Sequence, residues 1–137
     1  MRAQLRVGGF RVTPGRIQLL ALLQKADKPL SIQGILALWK KGNTPDQTTL
    51  YRTLTDFVDA GIVWQDDLGT GVAHFEYAPD RPHHHHIICT DCGAVEDIEP
   101  CAAESLERTL TQTSKRFATI YSHSLKFFGH CNKCVPA

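Results

Sequence analysis

The sequence has no long apolar run. No segment of its 137 residues approaches the roughly 18 apolar residues of a membrane span, and Met1 is not followed by a signal-like stretch. Internal repeats and low-complexity tracts are also missing, apart from one run of histidines. Apolar residues make up 42% and charged residues 21%, a globular composition that argues against disorder. We therefore expect a soluble, cytoplasmic protein with no membrane partner.

The chain also lacks a large net charge, which is only +1. Residues 1–60 nevertheless hold nine Lys or Arg and four Asp or Glu, a charge of +5, whereas residues 61–137 hold six and ten, a charge of −4. This asymmetry indicates a basic half suited to phosphates and an acidic half suited to cations, with an accident of composition as the alternative.

The cysteines do not fit a disulfide framework, because their number, five, is odd and the expected compartment is reducing. Four of them form two Cys-x-x-Cys pairs, whose two-residue spacer lets both sulfurs of a pair face one ion. A full shell of thiolates predicts structural zinc, with a redox dithiol as the alternative. The predicted ligands are Cys89, Cys92, Cys131 and Cys134, and Cys101 is interpreted as a packing residue at a helix start.

The first half is typical of three short helices. Thr13-Pro14, Ser31 and Thr44-Pro45-Asp46-Gln47 each have the form of a helix N-terminus, the last with Thr44 as the cap of a capping box. Apolar residues at helical spacing follow each of them, and Gly61 is the predicted end of the third helix.

The pattern of apolar residues changes after the predicted helices. Ile62–Trp64 and Val72–Tyr77 have the pattern of two strands around a turn-rich segment. Three helices and a hairpin predict a winged helix-turn-helix domain over residues 1–78, and the proline-bearing segment 79–82 predicts a hinge.

The second half, residues 83–137, predicts a small α/β domain, so that the whole chain is of the α+β class. Its predicted elements are strands at His84–Cys89 and Ala94–Ile98, a helix at Pro100–Ser114 with Ala102, Leu106 and Leu110 facing inward, and a strand at Ala118–Phe128.

Four consecutive histidines lie just before the first cysteine pair, separated from Cys89 by Ile87-Ile88. On a strand, alternation puts His83 and His85 on one face and His84 and His86 on the other. Two metal sites on opposite faces are therefore the simplest geometry, with a solvated polar edge strand as the alternative. Neighbouring elements must supply further ligands, for which the candidates are Glu76, Asp97, Glu104 and His123.

Several segments follow one another in an order that is specific to one family. They are Gly9-Phe10-Arg11-Val12-Thr13-Pro14-x-Arg16, Thr49–Leu54, Asp59–Val63, His83–Gly93 and His123–Cys131. Together they resemble the ferric uptake regulator family of bacterial metal-dependent repressors.

The resemblance implies a homodimer held by the second domain, which presents two winged helices to a palindromic DNA operator. The third predicted helix would enter the major groove, where Arg offers a rigid fork to guanine or phosphate and Tyr an apolar edge to a thymine methyl. The implied DNA-contacting residues are Arg11, Arg16, Thr49, Tyr51 and Arg52.

The resemblance also implies two further metal sites, divided as the strand alternation divides the histidines. The regulatory site near the hinge would use Glu76, His84, His86 and Asp97, and the additional site would use His83, His85, Glu104 and His123. The chain departs from many members at Pro29, where they have a histidine, and at Trp64, a ligand position in zinc sensors. It also lacks the cysteine that many zinc-sensing members have between the wing and the histidines. His74 is the alternative to Glu76 as a ligand of the regulatory site.

The implied function is a repressor of metal uptake or homeostasis genes, activated for operator binding by Fe(II) or Zn(II), with Mn(II) as a further candidate. A peroxide sensor of the same family, in which bound iron oxidises a histidine ligand, is the nearest alternative. A zinc hydrolase would need an open coordination position, and no His-Glu-x-x-His motif is present. A zinc-stapled interaction module is disfavoured by the basic first half. We expect no enzymatic activity.

Overall fold

The computed structural model describes residues 1–40, 42–79, 82–99, 101 and 103–135. The chain divides into two compact units, Met1–Arg81 (unit 1) and Pro82–Ala137 (unit 2). Their boundary falls within the segment 79–82, whose role as a hinge stays a prediction. No helix within the described ranges is long and apolar enough to cross a membrane.

The described residues of unit 1 form four helices, of which the first lies outside the predicted set. They are α1 (Arg2–Val7), α2 (Pro14–Lys25), α3 (Ile32–Leu38) and α4 (Gln47–Asp59). Thr13 caps α2 by accepting a hydrogen bond from the Arg16 N–H, and Ser31 caps α3 by accepting one from the Gly34 N–H. Both caps are as the sequence predicts.

The cap of α4 differs from the prediction, which places it at Thr44. The N-cap is Asp46, whose carboxylate accepts hydrogen bonds from the backbone N–H and the hydroxyl of Thr49 at 3.0 and 2.6 Å. Thr and Asp are both strong caps, but only the Asp carboxylate offers two oxygens to these two donors. Those hydrogen bonds also lower the pKa of Asp46.

A three-stranded sheet closes unit 1, with the order β1–β3–β2. The strands are β1 (Leu30–Ser31), β2 (Val63–Asp67) and β3 (Ala73–Tyr77), all antiparallel to their neighbours. The β2–β3 hairpin is the predicted wing, and Gly69 and Gly71 in its turn have φ of 82° and 74°, values that favour glycine. The helices and the sheet enclose an apolar core that includes Leu5, Leu20, Ile35, Leu54, Phe57 and Phe75.

Unit 2 is built on a sheet with the order β5–β4–β6. Its elements are β4 (His85–Cys89), β5 (Val95–Ile98), α5 (Ala103–Thr113) and β6 (Lys126–Gly129). β5 is antiparallel to β4, whereas β6 returns parallel to it after α5, which pairs Cys89 with Gly129. The central strand of the sheet therefore leads directly into one cysteine pair, and β6 leads into the other.

Two predictions for unit 2 are wrong. Residues 118–125 are not a strand, since β6 begins at Lys126. The predicted inward residues Leu106 and Leu110 of α5 are each 48% exposed, and Ala102 lies outside the described residues. Helical spacing shows that these leucines share a face of α5, but it does not show what covers that face.

Candidate metal centres and nucleic-acid interface

The two cysteine pairs meet at the end of the unit 2 sheet. The Sγ atoms of Cys89, Cys92, Cys131 and Cys134, here called the cysteine cluster, all lie within 4.8 Å of one another. The Sγ atoms of Cys92 and Cys131 are 3.7 Å apart, close to the separation of about 3.8 Å that tetrahedral zinc imposes on sulfurs bound at about 2.3 Å. The donor set and its spacing fit a structural zinc ion.

The surroundings of the cysteine cluster favour the thiolate at Cys89 and the protonated thiol at Cys134. The backbone N–H groups of Cys131 and Cys92 lower the pKa of the Cys89 thiol to about 6. Hydrogen bonds with the side chains of Cys131 and Cys92 raise the pKa of Cys134 to about 12. Four sulfurs this close cannot all be thiolates without a cation, so a divalent ion would replace the protons that they otherwise share.

Strand β4 and the residues before it sort the histidines into two sets. The ring centroids of His83 and His85 are 4.7 Å apart, and those of His84 and His86 are 5.1 Å apart. The structure therefore shows the alternation that the strand period predicts.

The set of His83 and His85 is joined by His123 and Cys101. The Nε2 atom of His123 lies 2.9 Å from that of His83 and 3.1 Å from that of His85. The Sγ atom of Cys101 lies 3.0 Å from the Nε2 atom of His85 and 3.2 Å from that of His123. We call these four residues the histidine–cysteine cluster. Burial, followed by the neighbouring His83 and His123, lowers the pKa of His85 and so favours the neutral imidazole that can bind a metal.

Two carboxylates of α5, the predicted ligand Glu104 and its neighbour Glu107, differ in their contacts with this cluster. Glu104 is exposed and lies beside Cys101 at a shallow depression. Its carboxylate is not one of the ligand atoms that lie within 4.8 Å of one another in this cluster. Glu107, which the sequence analysis does not single out, accepts a hydrogen bond from Nδ1 of His123. Cys101, interpreted as a packing residue at a helix start, lies two residues before α5, and its sulfur faces the histidines.

The other set of histidines is buried and lies beside an acidic residue. His86 is paired with Asp97 across the β4–β5 ladder, and its Nε2 atom is 3.5 Å from the Asp97 carboxylate. Nδ1 of His84 is 3.1 Å from the Pro82 carbonyl oxygen, which requires the proton on Nδ1 and leaves Nε2 as the ligand atom. Glu76, the predicted partner of this set, belongs to unit 1, where it is buried on β3.

The predicted DNA-contacting residues of α4 lie on its outer side. Tyr51 is 49% exposed and Arg52 is also exposed, whereas Leu50 and Leu54 are buried in the core. Thr49 is exposed as well, but its hydroxyl donates to Asp46 and thereby supports the start of α4.

Arg11 and Arg16 have different surroundings in the loop and helix before α4. Arg11 is exposed. The guanidinium of Arg16 donates to the Arg11 carbonyl oxygen at 3.0 Å and lies 5.4 Å from the centre of the Phe10 ring. Arg16 therefore positions the backbone of Arg11 as well as adding positive charge.

Known proteins match this chain along most of its length. The model of the ferric uptake regulator family matches residues 7–128. The ferric uptake regulation protein of Neisseria gonorrhoeae is 33% identical over 134 residues, which are 96% of this chain and 91% of that protein. The ferric uptake regulator of Vibrio cholerae, a structure with rearranged DNA-binding domains, aligns at 28% identity with a TM-score of 0.76 over 95% of this chain and 98% of that one. The regulator of Francisella tularensis, solved with iron, aligns at 30% identity with a TM-score of 0.75 over 92% and 95%. These matches confirm the predicted fold class.

Proposed function

Because this chain belongs to the ferric uptake regulator family and is a metal-responsive, DNA-binding transcriptional repressor, we propose that His84, His86, Asp97 and Glu76 bind the metal that controls its operator affinity. The observation that supports this assignment is the burial of both histidines beside Asp97 in unit 2. Buried imidazoles and carboxylates of this kind are typical metal ligands. Their nitrogen and oxygen donors accommodate Fe(II), Zn(II) or Mn(II).

Each of the ligands has a separate part in this proposal. A bound divalent ion supplies the positive charge that these carboxylates and imidazoles share. Asp97 orients His86, and the Pro82 carbonyl fixes the tautomer of His84. Metal binding at these residues would favour the conformation in which the spacing of two recognition helices matches two half-sites.

We further propose that the repressor is a cytoplasmic homodimer held by unit 2. Its described residues expose many large apolar side chains for a unit of this size, and such patches mark protein interfaces. These residues include Leu106, Leu110, Phe117, Tyr121, Phe127 and Phe128. We propose no catalytic role, since four thiolates leave tetrahedral zinc without an open position.

The proposed function is tested by operator binding at buffered free metal concentrations. A duplex selected from a random pool by the metal-loaded protein is titrated with Fe(II), Zn(II) and Mn(II) in turn. We expect at least one metal to raise the affinity by roughly 5–150-fold, the range of ordinary allosteric coupling. Equal affinity with and without each metal would contradict a metal-responsive repressor.

The proposed DNA interface predicts the effect of replacing Arg52 with alanine. The exposed guanidinium on α4 is expected to contact a base or phosphate, so Arg52→Ala should weaken specific binding by about 1–3 kcal/mol. Fluorescence anisotropy over a range of salt concentrations measures this change, and metal content should stay that of the wild type. Arg116→Ala, which removes an exposed arginine from unit 2, is the matched control. An equal loss in both variants would indicate a non-specific charge effect.

A further inference from the structure

We infer that His83, His85, Cys101 and His123 form a zinc site in which the Cys101 thiolate is the fourth ligand. This inference goes beyond the proposed function, because the regulatory site uses none of these residues. It also replaces Glu104, the ligand that the resemblance implies, with a residue of different chemistry.

Four of the six separations between ligand atoms in the histidine–cysteine cluster are close to those of tetrahedral coordination. Zinc at about 2.0–2.1 Å from nitrogen and about 2.3 Å from sulfur separates its ligands by about 3.3 Å (N to N) and about 3.6 Å (N to S). The separations in this cluster are 2.9 and 3.1 Å between nitrogens and 3.0 and 3.2 Å from sulfur to nitrogen. Small outward movements of the side chains would therefore admit the ion.

The tautomer of His123, which its contact with Glu107 fixes, points to a cation in the cluster. Its Nδ1 atom must carry a proton, because Glu107 beside it is an acceptor. In the neutral ring, Nε2 of His123 therefore presents a lone pair to Nε2 of both His83 and His85. That single lone pair accepts one well-aligned hydrogen bond, whereas a metal ion satisfies all three nitrogens. Glu107 acts as the outer carboxylate that orients a zinc-binding histidine.

Cys101 is placed to contribute a negative charge. The backbone N–H of Ala103, the first residue of α5, donates to Sγ of Cys101 at 3.4 Å, and the N-terminal end of a helix favours an anion. Three imidazoles and one thiolate form a borderline-soft donor set, which suits Zn(II) better than the harder Mn(II). The carboxylate of Glu104, by contrast, is exposed and does not converge with the histidine nitrogens of this cluster.

Cobalt substitution tests the thiolate directly. Full-length protein that holds one zinc ion per chain in the cysteine cluster is titrated with Co²⁺, and its near-ultraviolet spectrum is recorded. We expect a sulfur-to-cobalt charge-transfer band, because Cys101 is then the only thiolate in a vacant site. Cys101→Ser should abolish this band and weaken binding of a second zinc ion by at least about 100-fold, more than the 10–100-fold typical of outer-shell changes.

Two matched variants separate the ligand from its neighbours. Glu104→Gln should keep the band and the zinc affinity, whereas Glu107→Gln should keep the band but weaken the affinity by about 10–100-fold. A band that survives in Cys101→Ser, with zinc still in the cysteine cluster, would show that the sulfur comes from elsewhere and overturn the inference. Loss of the band in Glu104→Gln alone would overturn it as well. Circular dichroism and the retained zinc of each variant establish that it is folded.

Discussion

Replacing Cys131 with serine is expected to remove the tightly bound zinc, unfold unit 2 and abolish dimer formation. Operator affinity should then fall by at least about 100-fold, because linking two DNA-reading modules raises avidity by about 10²–10⁴. The cysteine cluster has this influence because it ties the end of β4 to the segment after β6. Two hydrogen bonds join the same segments: the Thr90 N–H donates to the Gly129 carbonyl at 2.9 Å, and the Cys131 N–H donates to Sγ of Cys89 at 3.3 Å.

The sparse apolar core of unit 2 is the reason for so large an effect. All of the fully buried large side chains in the described part of the chain belong to unit 1. In unit 2 the buried apolar residues are Ile88, Cys89 and Ala103. A small unit with so little buried apolar surface needs a metal or a partner subunit to stay folded, and structural zinc modules are unfolded without the ion.

For Cys131→Ser, zinc content measures the loss of the ion, sedimentation velocity the loss of the dimer, and calorimetry the unfolding of unit 2. Cys101→Ser is the matched control, since it removes a thiol outside the cysteine cluster and should keep one zinc ion per chain. If Cys131→Ser retains its dimer and its operator affinity after complete loss of zinc, the structural role of the cysteine cluster is wrong. Retention of the zinc itself would show that three thiolates and a solvent ligand are enough.

The sequence predicts the parts of the fold that depend on local patterns. Thr13 and Ser31 identify helix starts because a cap needs only a donor three residues away. The spacing of Leu50, Leu54 and Phe57 identifies the buried face of α4. The strand after α5 is predicted too long, since an aromatic residue such as Tyr121 favours a strand even where it is exposed on the surface of the chain.

The candidate metal sites are predictable only in part, for a related reason. The two Cys-x-x-Cys pairs identify each other, and the strand period sorts the histidines. Cys101 has neither a paired cysteine nor a position on the strand. Its sulfur reaches the histidines through a contact with His85 at the start of β4, which spacing along the chain does not reveal. Glu107 was missed although it lies one helical turn after Glu104, on the same face of α5.

Replacing both His84 and His86 with alanine is expected to abolish the metal dependence of operator binding while leaving the dimer intact. The two imidazoles are the central ligands of the proposed regulatory site, and Asp97 and Glu76 alone would hold a divalent ion weakly. The double variant should therefore bind the operator with the affinity of the metal-free wild type, about 5–150-fold below that of the metal-loaded protein. The zinc of the cysteine cluster should remain, because neither histidine contributes to it.

Operator binding and sedimentation at buffered free metal concentrations check this expectation. His130→Ala is the matched control, since His130 is paired with Asp91 and lies outside both histidine sets. Normal metal dependence in the double variant would move regulation to other ligands, of which the histidine–cysteine cluster is the first to test. Combining the double variant with Cys101→Ser resolves that case. Two independent sites would give additive losses of metal-dependent operator affinity, whereas a single regulatory site in the histidine–cysteine cluster would respond to Cys101→Ser alone.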